Sequence, residues 1–237
     1  MMGRTRGLAT LILLTVAACG GGQDEVPEEL RNPLLYPGRL TETAPDAFRA
    51  HFETSEGSFI IEVHREWAPL GADRFYNLVK NGFYDDQRVY RVVEGFMAQL
   101  GIHGDPLVDY QWRDELILDD PVVATNARGR VSFAKGGANS RTVEIFISYR
   151  DNTDLDSRGF APIGEVVEGM EVVDAFHAGY GDGPPRGEGP YQAQAHAQGN
   201  EYFDTTFPEL TRVIRAWVDE GDAAGGEAAG TPPEGGA

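Results

Sequence analysis

The side chains that could do covalent chemistry are few in this 237-residue chain, and their spacing rules out more than it allows. There is one cysteine, Cys19, so no intrachain disulfide, cysteine zinc cluster or Cys-x-x-Cys redox pair can form. The five histidines, His51, His64, His103, His177 and His196, never recur at the i,i+3 or i,i+4 spacing that places two ligands on one helix face. No metal site is visible and no cofactor is expected. Ser140, Ser148 and Ser157 lack the Gly-x-Ser-x-Gly elbow of an acyl-transfer nucleophile. Glu144, Asp154 and Asp156 could supply an acid and a base, but in a chain with 38 acidic residues no spacing marks them as a hydrolytic pair. The formal charge of −18 repels phosphate backbones and disfavours nucleic acid as a partner.

Cys19 itself has a distinctive setting. Arg4 and Arg6 precede an apolar run, residues 8–18, that is long enough for a signal-peptide core and too short to span a bilayer. The run ends Val16-Ala17-Ala18-Cys19, which resembles the bacterial lipobox, where the cysteine thiol is lipidated and the leader removed. Residues 1–18 are therefore expected to be a lipoprotein signal peptide and Cys19 the lipidation site. The mature chain is expected on the periplasmic or cell-surface side of a bacterium, anchored to the membrane by lipid. Residues 19–46, rich in Gly, Pro and Glu, read as a flexible tether, and the Gly/Ala-rich residues 220–237 as a disordered tail. The folded domain is expected over 47–219.

Within that domain, runs at 48–54 and 58–63 flank Ser55-Glu56-Gly57 as a hairpin would. Pro69 opens a helix over 69–81, with Leu70, Phe75, Leu78 and Val79 near helical spacing and Asn81-Gly82 as its stop. Short β-prone runs follow at 89–93, 96–100, 130–134, 144–148 and 160–167. A second helix is expected over 170–178, a long Gly/Pro-rich loop from 179, and a closing strand within 210–218. Many short strands and two helices predict a mainly β fold, a closed antiparallel β-barrel capped by two helices.

One segment carries a more specific signal. The turn Gly82-Phe83-Tyr84-Asp85, the strand bearing Arg91, and Gly95-Phe96-Met97-Ala98-Gln99 together resemble the signature of cyclophilin-type peptidyl-prolyl isomerases. The helix before this run, the stretches 131–134 and 144–148, and the segment 155–174 resemble the rest of that family in the same order, covering roughly residues 48–178 and, more loosely, 200–218. The resemblance implies a cyclophilin-like barrel acting on proline-containing polypeptides; a monomer is expected. It implies Arg91 as the catalytic residue and Phe96, Met97, Gln99, Ala134, Glu144, Phe146 and Leu155 as substrate-binding residues.

The chemistry is consistent with those residue types. Rotation about an Xaa-Pro bond crosses a barrier of ~18–20 kcal/mol set by amide resonance, and no bond need break. A catalyst has to grip the ring and donate a hydrogen bond to the prolyl nitrogen as it becomes pyramidal. A permanently charged guanidinium does this, and aromatic faces with a methionine suit the ring. Two positions depart from the family pattern. Glu144 stands where glutamine is usual and, by its charge, is expected to pair with Arg91 or Arg141 and slow catalysis. Asp154 stands where many members carry the tryptophan that helps grip cyclosporin, so weak binding of that inhibitor is expected. The alternative reading is a proline-peptide-binding or holdase module on the same scaffold with little or no catalysis.

Overall fold

The computed structural model describes residues 31–219; the leader, Cys19 and the 220–237 tail lie outside the described residues. Alternation builds the first hairpin. In β1 (Ala47–Thr54) the residues Phe48, Ala50, Phe52 and Thr54 face inward, and in β2 (Gly57–His64) Phe59, Ile61 and Val63 do the same. The two strands pair from Ala47 opposite His64 to Thr54 opposite Gly57, where Gly57 takes φ +130° at the turn. Helix α1 (Pro69–Lys80) starts at a proline that needs no N–H partner and buries Ala72, Phe75, Leu78 and Val79. Phe75 stacks on both Phe48 and Phe52, so the helix sits on the inner face of the hairpin. Burying one such phenylalanine contributes roughly 1.5–3 kcal/mol.

The remaining strands are β3 (Arg91–Val93), β4 (Met97–Leu100), β5 (Arg130–Phe133), β6 (Ile145–Ser148), β7 (Pro162–Glu168) and β8 (Val213–Val218). They form one antiparallel sheet in the order β3-β4-β6-β5-β7-β2-β1-β8. The expected closing strand exists and pairs with β1. The expected closed barrel does not: the edge strands β3 and β8 share no ladder, and the sheet is a half-barrel. Its seam is crossed by one isolated bridge, Arg88 opposite Arg212, with Val89 N donating to Thr211 O and Val213 N to Gln87 O, both at 2.9 Å. Before Thr211 the partner segment turns away, Leu210 N donating to Phe207 O, so β3 meets no strand there. Buried Arg88 holds Asp204, and Gln87 donates to the Phe83 carbonyl.

Among the described residues the two expected helices become six: besides α1 these are α2 (Pro106–Trp112), α3 (Asp154–Ser157), α4 (Met170–Asp174), α5 (Gln192–Gln198) and α6 (Asn200–Thr206). The helix read over 170–178 stops at Asp174. The segment read as a loop to residue 199 contains α5, and α5 and α6 cover the seam with Ala195, Tyr202 and Phe203. These pack with Tyr90, Ile102, Phe207 and Leu210 into a second apolar cluster apart from the main core.

Part of the expected tether is also folded. Two single-turn 3-10 helices, Pro33–Leu35 and Pro37–Arg39, begin it. Leu34 is buried, and its carbonyl accepts from the Trp112 indole at 2.7 Å. Asn77 on α1 brackets Glu42, accepting from its N–H at 3.0 Å and donating to its carbonyl at 2.7 Å, while Asp73 accepts from Ala44 N–H. Residues 33–46 are thus stapled to the domain by side chains of α1 and α2. Such partners, distant in sequence, are invisible to a reading of the tether's own composition.

Candidate active site

The strands that build the core also build a second surface, because successive side chains leave a strand on opposite faces. Val92, Ala98, Leu100, Ile145 and Ile147 point into the main core. The residues between them point the other way. Arg91 pairs with Gln99 across β3 and β4, and Gln99 pairs with Phe146 across β4 and β6, so these three lie in one row on the outer face. Met97, two residues from Gln99, shares that face. Met97, Phe146 and Leu155 are each at most 5% exposed and form a separate apolar cluster, flanked by Val93, Phe96, Ala134 and Phe160. Leu155 arrives from α3, whose loop is tied down by Asn152 donating to Phe96 O at 2.9 Å and Asn126 donating to Asp156 at 2.7 Å.

The cluster floors a groove of about 580 Å³ lined also by Arg91, Gln99, Glu144 and Tyr90. Its size suits a peptide side chain with flanking backbone. Every substrate-binding residue expected from the sequence therefore lines one cavity: Phe96, Met97, Gln99, Ala134, Glu144, Phe146 and Leu155. Phe160 meets Phe146 edge-on with centroids 5.8 Å apart, extending the aromatic wall.

The polar rim differs from expectation. Glu144 pairs with neither arginine. Its Oε2 accepts from the Tyr90 hydroxyl, from Gln99 Nε2 at 2.7 Å and from Gln192 Nε2 at 3.4 Å, and its Oε1 lies 3.8 Å from His196 Nε2. Gly101 makes this approach possible, since a Cβ there would lie 2.5 Å from the Glu144 Cα. Arg141, 1% exposed, is held instead by Asp120 at 2.9 Å. Asp154 is exposed to solvent. It stands at the exposed start of α3, 3.9 Å from Arg158, and does not line the groove, whereas Arg158 and Phe160 do.

Arg91 is partnered on both sides. Its Nη1 donates to Gln99 Oε1 at 2.8 Å, and its Nε and Nη2 donate to the two carboxylate oxygens of Asp182 at 2.8 and 3.2 Å. Burial tends to raise the Asp182 carboxyl, but the hydrogen bonds and charge of Arg91, with Arg186 beside it, outweigh this and hold it below the ordinary carboxylate range. Asp182 was not foreseen, and neither were Gln192 and His196. His196 Nδ1 lies 2.9 Å from the buried Asp109. Burial alone would lower the His196 pKa, but that hydrogen bond and the charges of Asp109 and Glu144 raise it. Burial, then the charge of Glu144, pushes the Tyr90 phenol far up, so it stays a neutral donor.

An open antiparallel half-barrel with an arginine beside a groove with an apolar floor defines a recognisable class. The structure resembles that of a cyclophilin-type peptidyl-prolyl cis-trans isomerase from Cryptosporidium parvum, with a TM-score of 0.55 and 16% identity, covering 73% of this chain and 98% of that one. A second structure of the C. parvum protein, determined in the presence of the dipeptide Ala-Pro, matches with a TM-score of 0.53. Among proteins similar in sequence are a peptidyl-prolyl cis-trans isomerase of Acinetobacter baylyi, 31% identical over 52% of this chain and 68% of that protein, and peptidyl-prolyl cis-trans isomerase B of Escherichia coli, 29% identical over 52% and 80%. The family model for cyclophilin type peptidyl-prolyl cis-trans isomerases matches residues 49–193. The chain belongs to that family and is a peptidyl-prolyl cis-trans isomerase.

Proposed function

We propose that this isomerase turns Xaa-Pro bonds in exported polypeptides from a lipid-anchored position, with Arg91 as the hydrogen-bond donor to the prolyl nitrogen. The observation that carries the assignment of Arg91 is its place at the edge of the Met97–Phe146–Leu155 pocket. A proline ring seated on those side chains brings its nitrogen toward the guanidinium. Of the five N–H donors, Nε–H and one on Nη2 go to Asp182 and one on Nη1 goes to Gln99, leaving one outward hydrogen on each Nη apart from a long contact to the Met97 sulfur at 3.9 Å. A charged donor aimed at a lone pair that exists fully only in the twisted amide binds the transition state better than the ground state. Gln99, fixed between Arg91 and Glu144, keeps its carbonyl toward the arginine because its amide is spent on the carboxylate.

The holdase alternative rested on Glu144 neutralising Arg91. Glu144 is bonded instead to Tyr90, Gln99 and Gln192, and the carboxylate on Arg91 is that of Asp182, which leaves Nη hydrogens free for substrate. A protease-free isomerase assay on an Ala-Pro-Phe peptide tests the activity; a full chain that binds the peptide but leaves its exchange rate unchanged restores the alternative. Export and anchoring are supported by Arg4, Arg6, the apolar run at 8–18 and the small residues before Cys19. Changing Cys19→Ser is expected to abolish lipidation and move the protein out of the membrane fraction. Unchanged fractionation, with no lipid mass on the wild type, refutes the anchor.

A further inference from the structure

The segment between α4 and α5, residues 175–191, contributes a carboxylate to the arginine that performs the reaction. Asp182 meets Arg91 side-on through both oxygens, and both side chains are largely shielded, at 17% and 20% exposure. The segment is built to hold that carboxylate. Its own Oδ1 accepts from Gly183 N at 2.8 Å, its backbone carbonyl accepts from Gly189 N at 2.9 Å, and Arg186 reaches back to its Oδ2 at 2.9 Å. Gly187 passes so close that a Cβ there would lie 2.2 Å from the Asp182 carbonyl oxygen. Asp182, Gly183 and Pro184 wall the groove without filling it, since about 580 Å³ stays open. The contact is therefore not a plug over the site.

We propose that Asp182 is a positioning residue for Arg91. It fixes the plane of the guanidinium from the Nε side while Gln99 fixes it at Nη1, so that the outward Nη2 hydrogen is aimed into the groove toward the prolyl nitrogen before substrate arrives. A long arginine side chain has much rotamer freedom, and freezing it in advance removes that cost from the transition state rather than from substrate binding. This inference rests on the reading of Arg91 as the donor to the prolyl nitrogen.

The test compares the full chain with Asp182→Asn, Arg91→Ala and the double variant, using NMR exchange on an Ala-Pro-Phe peptide to separate kcat from KM. Asp182→Asn keeps the turn acceptor and the size but sets an amide N–H₂ against the guanidinium. It is expected to lower kcat by ~10-fold with KM within about twofold of wild type, and to add no further loss in the Arg91→Ala background. The Arg91 Nε–H resonance is expected to be protected from exchange in the wild type and broadened in Asp182→Asn. Undiminished kcat in Asp182→Asn, or an equal loss with Arg91 already removed, overturns the proposal. If the wild type turns over no peptide, the donor reading of Arg91 falls first, and an Nε–H equally protected in both proteins then also removes the positioning role of Asp182.

Discussion

The groove has two walls of different origin. One is made by β3, β4 and β6 with the α3 loop and carries Met97, Gln99, Phe146 and Leu155. The other is made by residues 182–192 and carries Asp182 and Gln192, with His196 behind it against Glu144. The first wall is the reverse face of the core sheet, so any sequence that buries Ala98, Ile145 and Ile147 must also turn Met97, Gln99 and Phe146 outward. The second wall has no such obligation. Its side chains reach the site because a Gly/Pro-rich segment and a short helix are laid over an unclosed seam. The strand wall is inseparable from folding, whereas the second wall is laid over it by a separate stretch of chain.

Arg91 touches both walls, and its removal should have the largest effect. Arg91→Ala is expected to lower kcat/KM by roughly one to three orders of magnitude, on the order of 1.4 kcal/mol per decade, with little change in melting temperature. Arg91→Lys is expected to fail almost as badly, since an ammonium cannot engage Asp182 and Gln99 together. A folded Arg91→Ala protein with wild-type rates would remove the shared element on which the contrast between walls depends.

A smaller effect sharpens the comparison from within. Phe146 is 5% exposed and floors the pocket without joining the main core cluster, so Phe146→Leu should weaken peptide binding by ~10-fold while costing less stability than Phe52→Leu, whose ring is stacked on Phe59 and Phe75. Urea melts of the two variants beside peptide titrations decide this. Equal destabilisation by both would mean that the outer face is part of the core energetics after all.

How legible the molecule was follows the same division. The β1–β2 hairpin, α1, the strand runs and all seven groove residues could be read, because a period of two, a proline start and a family signature are local signals. The closed barrel could not be excluded, since whether β3 meets β8 depends on the turn at 207–210 that takes the partner segment away from β3. The tether misled because Leu34 and Glu42 find their partners on Trp112 and Asn77, far along the chain. Glu144 misled for a related reason: charge suggested an arginine partner, but Tyr90 and Gln192 were closer in space, and nothing in the glycine-rich run around Asp182 or in the lone His196 announced a polar wall. Glu144→Gln is accordingly expected to change kcat/KM by no more than ~3-fold, because an amide can still accept from Tyr90 and Gln99. A rise of tenfold or more in steady-state rate would revive the idea of a carboxylate brake.

The smallest expected effect lies deepest in the second wall. His196 bridges buried Asp109 at 2.9 Å and Glu144 at 3.8 Å, and its pKa is raised above the ordinary value of 6.5 even though burial works against the charged form and Arg113 lies nearby. A group whose folded-state pKa is raised contributes stability in full below its unfolded pKa, near 6.5, and loses it as pH climbs through the higher folded value. Wild type should therefore exceed His196→Gln in melting temperature most at about pH 5.5, by a few degrees if the pair is worth on the order of 1 kcal/mol, and the gap should narrow through neutrality into mild alkali. Turnover should follow only weakly, since His196 reaches Arg91 only through Glu144 and Gln99. Melting curves of both proteins from about pH 5.5 to 9 provide the check. A gap that is constant across that range would show that the imidazole does not titrate against Asp109, leaving Arg91 and Arg186, both on Asp182, as the cations that hold this wall.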